Sequence, residues 1–169
     1  MRHVIYPGTF DPMTNGHVDV VARATALFDL VTIGVTTNPA KNPLFTVEER
    51  VAMIREVTKG FSNVRVDSFG GLLVDYAQQL GACAIIRGLR AISDFEYEFQ
   101  MALVNRKISD GIVTVFLMPN EKYTYLNSTI VKELAIFGGD ISRFVPPLVE
   151  TQVKQKIAAR NSAVPTAME

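Results

Sequence analysis

The sequence lacks the features of a disulfide scaffold, a membrane protein or a nucleic-acid-binding protein. Its 169 residues contain one cysteine, Cys83, so no internal disulfide forms, and this fits a reducing compartment. It has no N-terminal apolar segment long enough for export, and no apolar run long enough to span a membrane. Its 17 basic and 17 acidic residues balance, which argues against general nucleic-acid binding. We therefore expect a soluble cytoplasmic protein with no membrane or nucleic-acid partner.

Motifs of other site classes are missing too. Neither Gly-x-Gly-x-x-Gly nor Gly-x-x-x-x-Gly-Lys-Ser/Thr occurs, which disfavours a dinucleotide oxidoreductase and a P-loop ATPase. A single cysteine and two distant histidines, His3 and His17, cannot build a zinc site, so no protein-held metal is expected. We expect Cys83 to be a small core residue and His3, inside a strand, to be structural.

Strand-like and helix-like segments alternate along the chain. Five apolar, largely β-branched segments are typical of strands buried on both faces: Val4–Tyr6, Leu30–Thr36, Val64–Val66, Ala82–Ile86 and Ile112–Met118. Capping boxes at Thr46–Glu49 and Ser93–Glu96 predict two helix starts, and Pro147 a third. The alternation predicts an α/β, Rossmann-like, doubly wound five-stranded parallel sheet with C-terminal helices. We expect one domain over residues 1–160 and a disordered tail over 161–169.

Four unusual segments follow predicted strands. They are Gly8–Gly16, Asn38–Phe45, Arg87–Arg90 and Asn120–Ser128. Ligands of such sheets bind beyond the carboxyl ends of the strands, so these segments predict one shared site.

The first of these segments favours phosphate binding. It leads from a strand into a helix beginning near Thr14 or Asn15, so Gly8 and Thr9 lie at a helix N-terminus, where free N–H groups and the helix dipole attract anions. His17, in the first turn, adds a donor that can carry charge. The sequence therefore predicts a site for the phosphates of a nucleotide.

Thr14-Asn15-Gly16-His17 also resembles the Thr/His-x-Gly-His signature of the nucleotidyltransferase superfamily, and the wider string Tyr6–His17 is similar to phosphopantetheine adenylyltransferases. The resemblance extends from Arg2 to about Ile157. It implies reversible transfer of AMP from ATP to 4′-phosphopantetheine, giving dephospho-CoA and pyrophosphate in coenzyme A biosynthesis. It further implies a homohexamer and feedback inhibition by CoA. Any Mg²⁺ should arrive with ATP, held largely by phosphate oxygens.

The resemblance implies roles for single residues. His17, Lys41 and Arg90 would stabilise the transition state. Thr9, Lys41, Leu73 and Arg87 would bind the acceptor. The ATP-binding set would comprise Thr9, Phe10, His17, Gly88, Leu89, Arg90, Glu98, Tyr123, Thr124, Tyr125, Leu126, Asn127, Ser128 and Thr129.

Some of these residues also have a plainer interpretation. Arg87 directly follows an apolar run and would be costly there unless paired, with phosphate or with Asp94 or Glu98. Lys41 would be a solvated loop residue, and Leu73 a core residue.

The segment Tyr123–Thr129 resembles the second signature of the superfamily, Ile-Ser-Ser-Thr/Ser, with departures. Leu126 and Asn127 fill its first two positions, Lys132 stands where many relatives carry arginine, and Tyr123 replaces a common tryptophan. Asn127 is still a good helix cap, so phosphate binding should survive.

Two other functions stay open from the sequence. One is another small-molecule adenylyltransferase, such as one for nicotinamide mononucleotide. The other is a non-catalytic nucleotide-binding module, against which the presence of His17, Lys41 and Arg90 argues. The helix predicted after Ser93 spreads Phe95, Tyr97, Phe99 and Met101 around its axis, which favours burial on more than one side.

Overall fold

The computed structural model describes residues 1–37, 42–90 and 92–163, the side chains of 92–94 and 163 excepted. Its strands are β1 (His3–Gly8), β2 (Leu30–Thr36), β3 (Val64–Phe69), β4 (Ala84–Gly88) and β5 (Val113–Leu117). They form one parallel sheet in the order β3-β2-β1-β4-β5. The predicted five-stranded, doubly wound parallel sheet is confirmed, and β1 lies at its centre.

Six α-helices surround the sheet in the part of the chain that the structure describes. They are α1 (Asn15–Leu27), α2 (Val47–Thr58), α3 (Leu73–Gln79), α4 (Ile92–Ile108), α5 (Ser128–Ile136) and α6 (Pro147–Ala163), with a 3₁₀ turn at Glu121–Tyr123. Helix α6 continues past Asn161, where the sequence predicted the tail to begin, and residues 164–169 lie outside the described residues. Among the described residues, none of the helices has the length and apolarity that crossing a bilayer requires.

Apolar side chains cover both faces of the central strands. Val4 and Ile33 pack in the core formed with α1 and α2, whereas Ile5 and Ile85 face the core formed with α3. A third core joins α5 and α6 to Phe45, just before α2. Burial on both faces explains why these strands read as nearly continuous apolar runs.

Helix α2 starts with the predicted capping box. The Thr46 hydroxyl accepts from the Glu49 N–H at 3.2 Å, and the Glu49 carboxylate accepts from the Thr46 N–H at 2.8 Å. Lys156 of α6 donates to both oxygens of the same carboxylate, at 2.5 and 2.8 Å. The C-terminal helix is thereby attached to the start of α2.

Two local predictions are wrong. Helix α4 begins at Ile92, so Ser93 lies inside the helix and not at its cap. Cys83 is exposed and not in the core: β4 begins at Ala84, two residues after the predicted start at Ala82, so Cys83 lies just before the strand. The Cys83 thiol lies 3.2 Å from the His3 carbonyl.

Candidate active site

A cavity of about 890 Å³ lies at the carboxyl ends of the strands. The segments after β1, β2 and β4 line it together with the start of α5, so the predicted convergence of loops is confirmed for the described residues. The predicted site residues that line it are Thr9, Phe10, His17, Leu73, Arg87, Gly88, Arg90, Glu98, Leu126, Asn127, Ser128 and Thr129. Leu89, Tyr123, Thr124 and Tyr125 are not among its lining residues, and Lys41 lies outside the described residues.

The turn after β1 depends on a glycine and an unusual phenylalanine conformation. Phe10 has a φ of 48° and is buried, with its ring edge-on to Tyr6 and to His17 at centroid distances of 5.3 and 5.2 Å. A Cβ added at Gly8 would lie 2.8 Å from the Phe10 ring. Gly8 therefore lets the ring turn inward and support the imidazole of His17.

The His17 imidazole is held by the helix cap in one tautomer. The Thr14 N–H donates to Nδ1 at 2.9 Å, so Nδ1 carries the lone pair and Nε2 carries the hydrogen of the neutral ring. Burial, followed by the charge of Arg90, lowers the pKa of His17 to about 4. The sequence predicted a donor that can carry charge; with this lowered pKa the ring is a neutral donor at neutral pH.

Asp11 joins three segments around the cavity. Its buried carboxylate accepts from the Leu44 and Phe45 N–H groups at 2.8 and 2.9 Å and from Lys132 Nζ of α5 at 2.7 Å. The structure shows a contact between the loop after β1, the segment before α2, and α5.

Arg50 is a buried cation that binds backbone carbonyls. Nη1 donates to Thr9 O at 2.7 Å and to Thr36 O at 3.2 Å, and Nε donates to Phe45 O and Thr46 O, each at 3.2 Å. The guanidinium therefore fixes the ends of β1 and β2 relative to α2.

Arg87 is paired within the chain. Its Nε and Nη2 donate to the two oxygens of Glu98 at 2.6 and 2.5 Å, and Nη1 lies 3.4 Å from Pro7 O. Burial opposes the positive charge, but the hydrogen bonds and charge of Glu98 outweigh it and raise the pKa of Arg87. Of the partners considered for Arg87, phosphate or a carboxylate of the chain, the structure shows the carboxylate of Glu98.

The end of β4 also contacts the start of α5. Arg90 Nη1 donates to Leu126 O at 3.0 Å, and the Asn127 side chain caps α5 by accepting from the Ile130 N–H at 2.8 Å. The Ser128 hydroxyl donates to Pro12 O at 2.8 Å. The helix N-terminus is thus directed at the cavity, and the predicted Asn127 cap is confirmed.

Comparison with known proteins identifies the chain. Residues 5–134 match the Cytidylyltransferase-like family. The chain is 54% identical over 156 residues to the phosphopantetheine adenylyltransferase of Alkaliphilus metalliredigens, covering 92% of this chain and 99% of that protein. It is 52% identical over 163 residues to the enzyme of that name from Nitrosospira multiformis, covering 96% and 99%. The chain belongs to the phosphopantetheine adenylyltransferase family.

As a member of this family the protein is a nucleotidyltransferase, and its relatives support an adenylyl transfer in coenzyme A biosynthesis. Among solved structures it is similar to a protein of Vibrio parahaemolyticus provisionally named nicotinate-nucleotide adenylyltransferase. That similarity has a TM-score of 0.68 at 20% identity and covers 93% of this chain and 95% of the other. It shows a shared fold.

Sequence reasoning missed several residues of this adenylyltransferase site. Tyr6 and Lys132 line the cavity, and Arg50 donates hydrogen bonds to the backbone carbonyls of Thr9 and Thr36 at its border. The spacing of Lys132 could have predicted its position, because it follows Ser128 by four residues and so lies on the same face of α5. No sequence pattern predicted the role of Arg50, since its hydrogen-bond partners lie in three separate segments.

Proposed function

We propose that the cavity binds MgATP and 4′-phosphopantetheine together, and that the acceptor phosphate attacks the α-phosphorus of ATP in line. The new P–O bond gives dephospho-CoA as the bond to pyrophosphate breaks, and no covalent enzyme intermediate is needed. Positioning and electrostatic stabilisation are the main contributions a protein makes to such a transfer.

The observation that carries this proposal is the fixed His17 ring. Nδ1 is occupied by Thr14, whereas Nε2 has no hydrogen-bond partner among the described residues, and His17 lines the cavity. A neutral donor costs less to desolvate than a cation and needs no proton exchange during the reaction. His17 would donate through Nε2 to the α-phosphate oxygen on which charge develops.

We propose the remaining site roles from the family and from position. Arg90 and Lys41 would neutralise transition-state charge, and Thr9, Lys41, Leu73 and Arg87 would bind the acceptor. ATP would contact Thr9, Phe10, His17, Gly88, Leu89, Arg90, Glu98 and the residues from Tyr123 to Thr129. Arg87 would have to share its guanidinium between Glu98 and the acceptor phosphate.

Mg²⁺ would enter as part of the substrate. Two carboxylates line the cavity in the described residues, and cations bind both: Lys132 binds Asp11, and Arg87 binds Glu98. Both carboxylates are thus already paired with a cation of the chain, and Mg²⁺ commonly takes much of its coordination from water and substrate phosphates. The ion would therefore be held by the oxygens of ATP.

We also propose a cytoplasmic homohexamer that CoA inhibits. Helix α4 exposes Phe95, Tyr97, Phe99 and Leu103, by 45 to 63% of their surfaces, which is costly unless another subunit covers them. CoA contains the pantetheine arm of the acceptor and the adenylate of the product. It would therefore compete for the same cavity.

The test is direct product analysis. The protein is incubated with ATP and Mg²⁺ and with either 4′-phosphopantetheine or nicotinamide mononucleotide, and the adenylylated product is identified by mass. Dephospho-CoA and pyrophosphate in equal amounts are expected. Product from the mononucleotide alone would assign a different adenylyltransferase, and ATP binding without either product would assign a binding module.

A further inference from the structure

Tyr6 is a buried tyrosine at the wall of the cavity. It lies on the central strand β1, is 5% exposed, and packs edge-on against Phe10. Its hydroxyl lies 3.5 Å from where a Cβ at Gly88 would stand, on the neighbouring strand β4. The hydroxyl therefore sits where the loop after β4 meets the loop after β1.

The Tyr6 hydroxyl has no hydrogen-bond partner in the part of the chain that the structure describes. No fully enclosed side-chain nitrogen or oxygen there lacks a partner. The hydroxyl is therefore not fully enclosed, and since Tyr6 lines the cavity, its opening faces the cavity. A buried hydroxyl that meets no protein acceptor is suited to meet a ligand.

The charged residues near the Tyr6 hydroxyl favour one kind of ligand atom. Arg87 and Arg90 interact electrostatically with the hydroxyl, and Glu98 opposes them. Burial nevertheless outweighs the two arginines and raises the pKa of Tyr6, so the hydroxyl stays protonated and donates. A protonated donor under the influence of two guanidinium groups fits an anionic oxygen. The Tyr6 ring lies 6.5 Å from the ring of His17.

We propose that the Tyr6 hydroxyl donates a hydrogen bond to a phosphate oxygen of the bound nucleotide, and so helps to position ATP. Gly88 leaves room for this contact: a Cβ at position 88 would lie 3.5 Å from the hydroxyl, in the space that the phosphate oxygen would use. The inference rests on the proposed function only in that a nucleotide occupies this cavity.

The experiment compares Tyr6→Phe with wild type in calorimetric titrations with ATP and with adenosine. We expect the Kd of ATP to rise about tenfold or more, the loss typical of a hydrogen bond to a charged group, and the weak binding of adenosine to be unchanged. Tyr76→Phe is the matched control. Tyr76 is also buried, but its hydroxyl donates to Asp67 at 2.8 Å, so its loss should lower the melting temperature and leave ATP binding intact.

Each outcome decides the proposal. Unchanged ATP affinity in a folded Tyr6→Phe protein would overturn it, and equal losses for ATP and adenosine would move the contact to the nucleoside. If the variant does not fold, wild type labelled with 3-fluorotyrosine replaces it. The Tyr6 fluorine signal, assigned by Phe substitution of the other four tyrosines, must then shift with ATP and not with adenosine. Wild type that binds ATP without forming dephospho-CoA would refute the proposed function and leave this comparison valid.

Discussion

Asp11 and Lys132, which lie 121 positions apart, form an ion pair of 2.7 Å in the wall of the cavity. The carboxylate of Asp11 also accepts two backbone N–H groups just before α2. One buried side chain thereby connects the loop before α1, the segment before α2, and α5.

The Asp11→Asn variant should be strongly destabilised. An amide cannot accept all three hydrogen bonds and leaves Lys132 without its counter-ion, a loss of about 3 kcal/mol in the free energy of unfolding. Urea unfolding followed by circular dichroism measures it. Asp29→Asn is the control, because its pair with Arg2 is solvent-exposed and screened by water, so its loss should cost far less. Similar losses in the two variants would show that the buried contact has no special weight.

His17→Ala should lower kcat far more than it weakens ATP binding, because its hydrogen bond strengthens as charge develops on the α-phosphate. We expect a loss of about 100-fold in kcat. Steady-state kinetics and ATP titration measure the two effects. His3→Asn is the control: His3 contacts Leu80 O and Thr32 Oγ1, away from the cavity, so it should affect stability and not kcat. A normal kcat in folded His17→Ala would remove His17 from the mechanism.

The low pKa of His17 predicts a specific pH dependence of stability. Between the ordinary histidine pKa of 6.5 and the folded value of about 4, the unfolded chain binds a proton that the folded chain does not. The free energy of unfolding should therefore fall as the pH falls through this window, and His17→Gln should reduce the slope. Urea unfolding at several pH values measures it. Identical slopes in both proteins would mean that His17 titrates normally.

Arg87 and Glu98 should be energetically coupled in acceptor binding. Arg87→Ala removes a phosphate contact and leaves an unpaired carboxylate in an anion site, so the KM for 4′-phosphopantetheine should rise at least tenfold, and the Kd of ATP less. Adding Glu98→Gln removes that carboxylate and should recover part of the loss. Initial-rate kinetics of the two single variants and the double variant measure the coupling. Equal losses for both substrates would contradict the division of roles.

The apolar side chains that α4 exposes should be covered by other subunits. Phe95 and Phe99 stack at 5.6 Å on this surface, so Phe99→Glu should shift the assembly toward smaller species. Light scattering at micromolar concentration measures the mass. Leu27→Glu is the control, at a half-exposed position on α1. A wild-type mass near 18.7 kDa with full activity would refute the hexamer.

The sequence predicted most of what depends on neighbouring residues. Apolar runs located the strands, and Thr46 and Asn127 located two helix starts, because caps and burial leave local patterns. Ser93 misled because a Ser-x-x-Glu spacing also occurs inside helices. Cys83 misled because the apolar run Ala82–Ile86 begins two residues before the strand does.

The site was predicted less completely, since its contacts join distant segments. The loop after β1, for which we propose phosphate binding, is contiguous and was visible as a motif. The pairing of Arg87 with Glu98 was one of two options until the geometry of β4 and α4 was known. Arg50 binds carbonyls from Thr9, Thr36, Phe45 and Thr46, and backbone acceptors leave no trace in residue identities.

The ion pairs of Asp11 and Glu49 have a consequence for a chain growing on the ribosome. The loop after β1 is synthesised early. Lys132 and Lys156, which bind the carboxylates of Asp11 and Glu49, are synthesised more than 100 residues after their partners. Since synthesis adds only about 5–20 residues per second, the loop and the start of α2 wait several seconds for these cations. The nucleotide site would reach its final geometry late in translation, although its recognisable motif is made first.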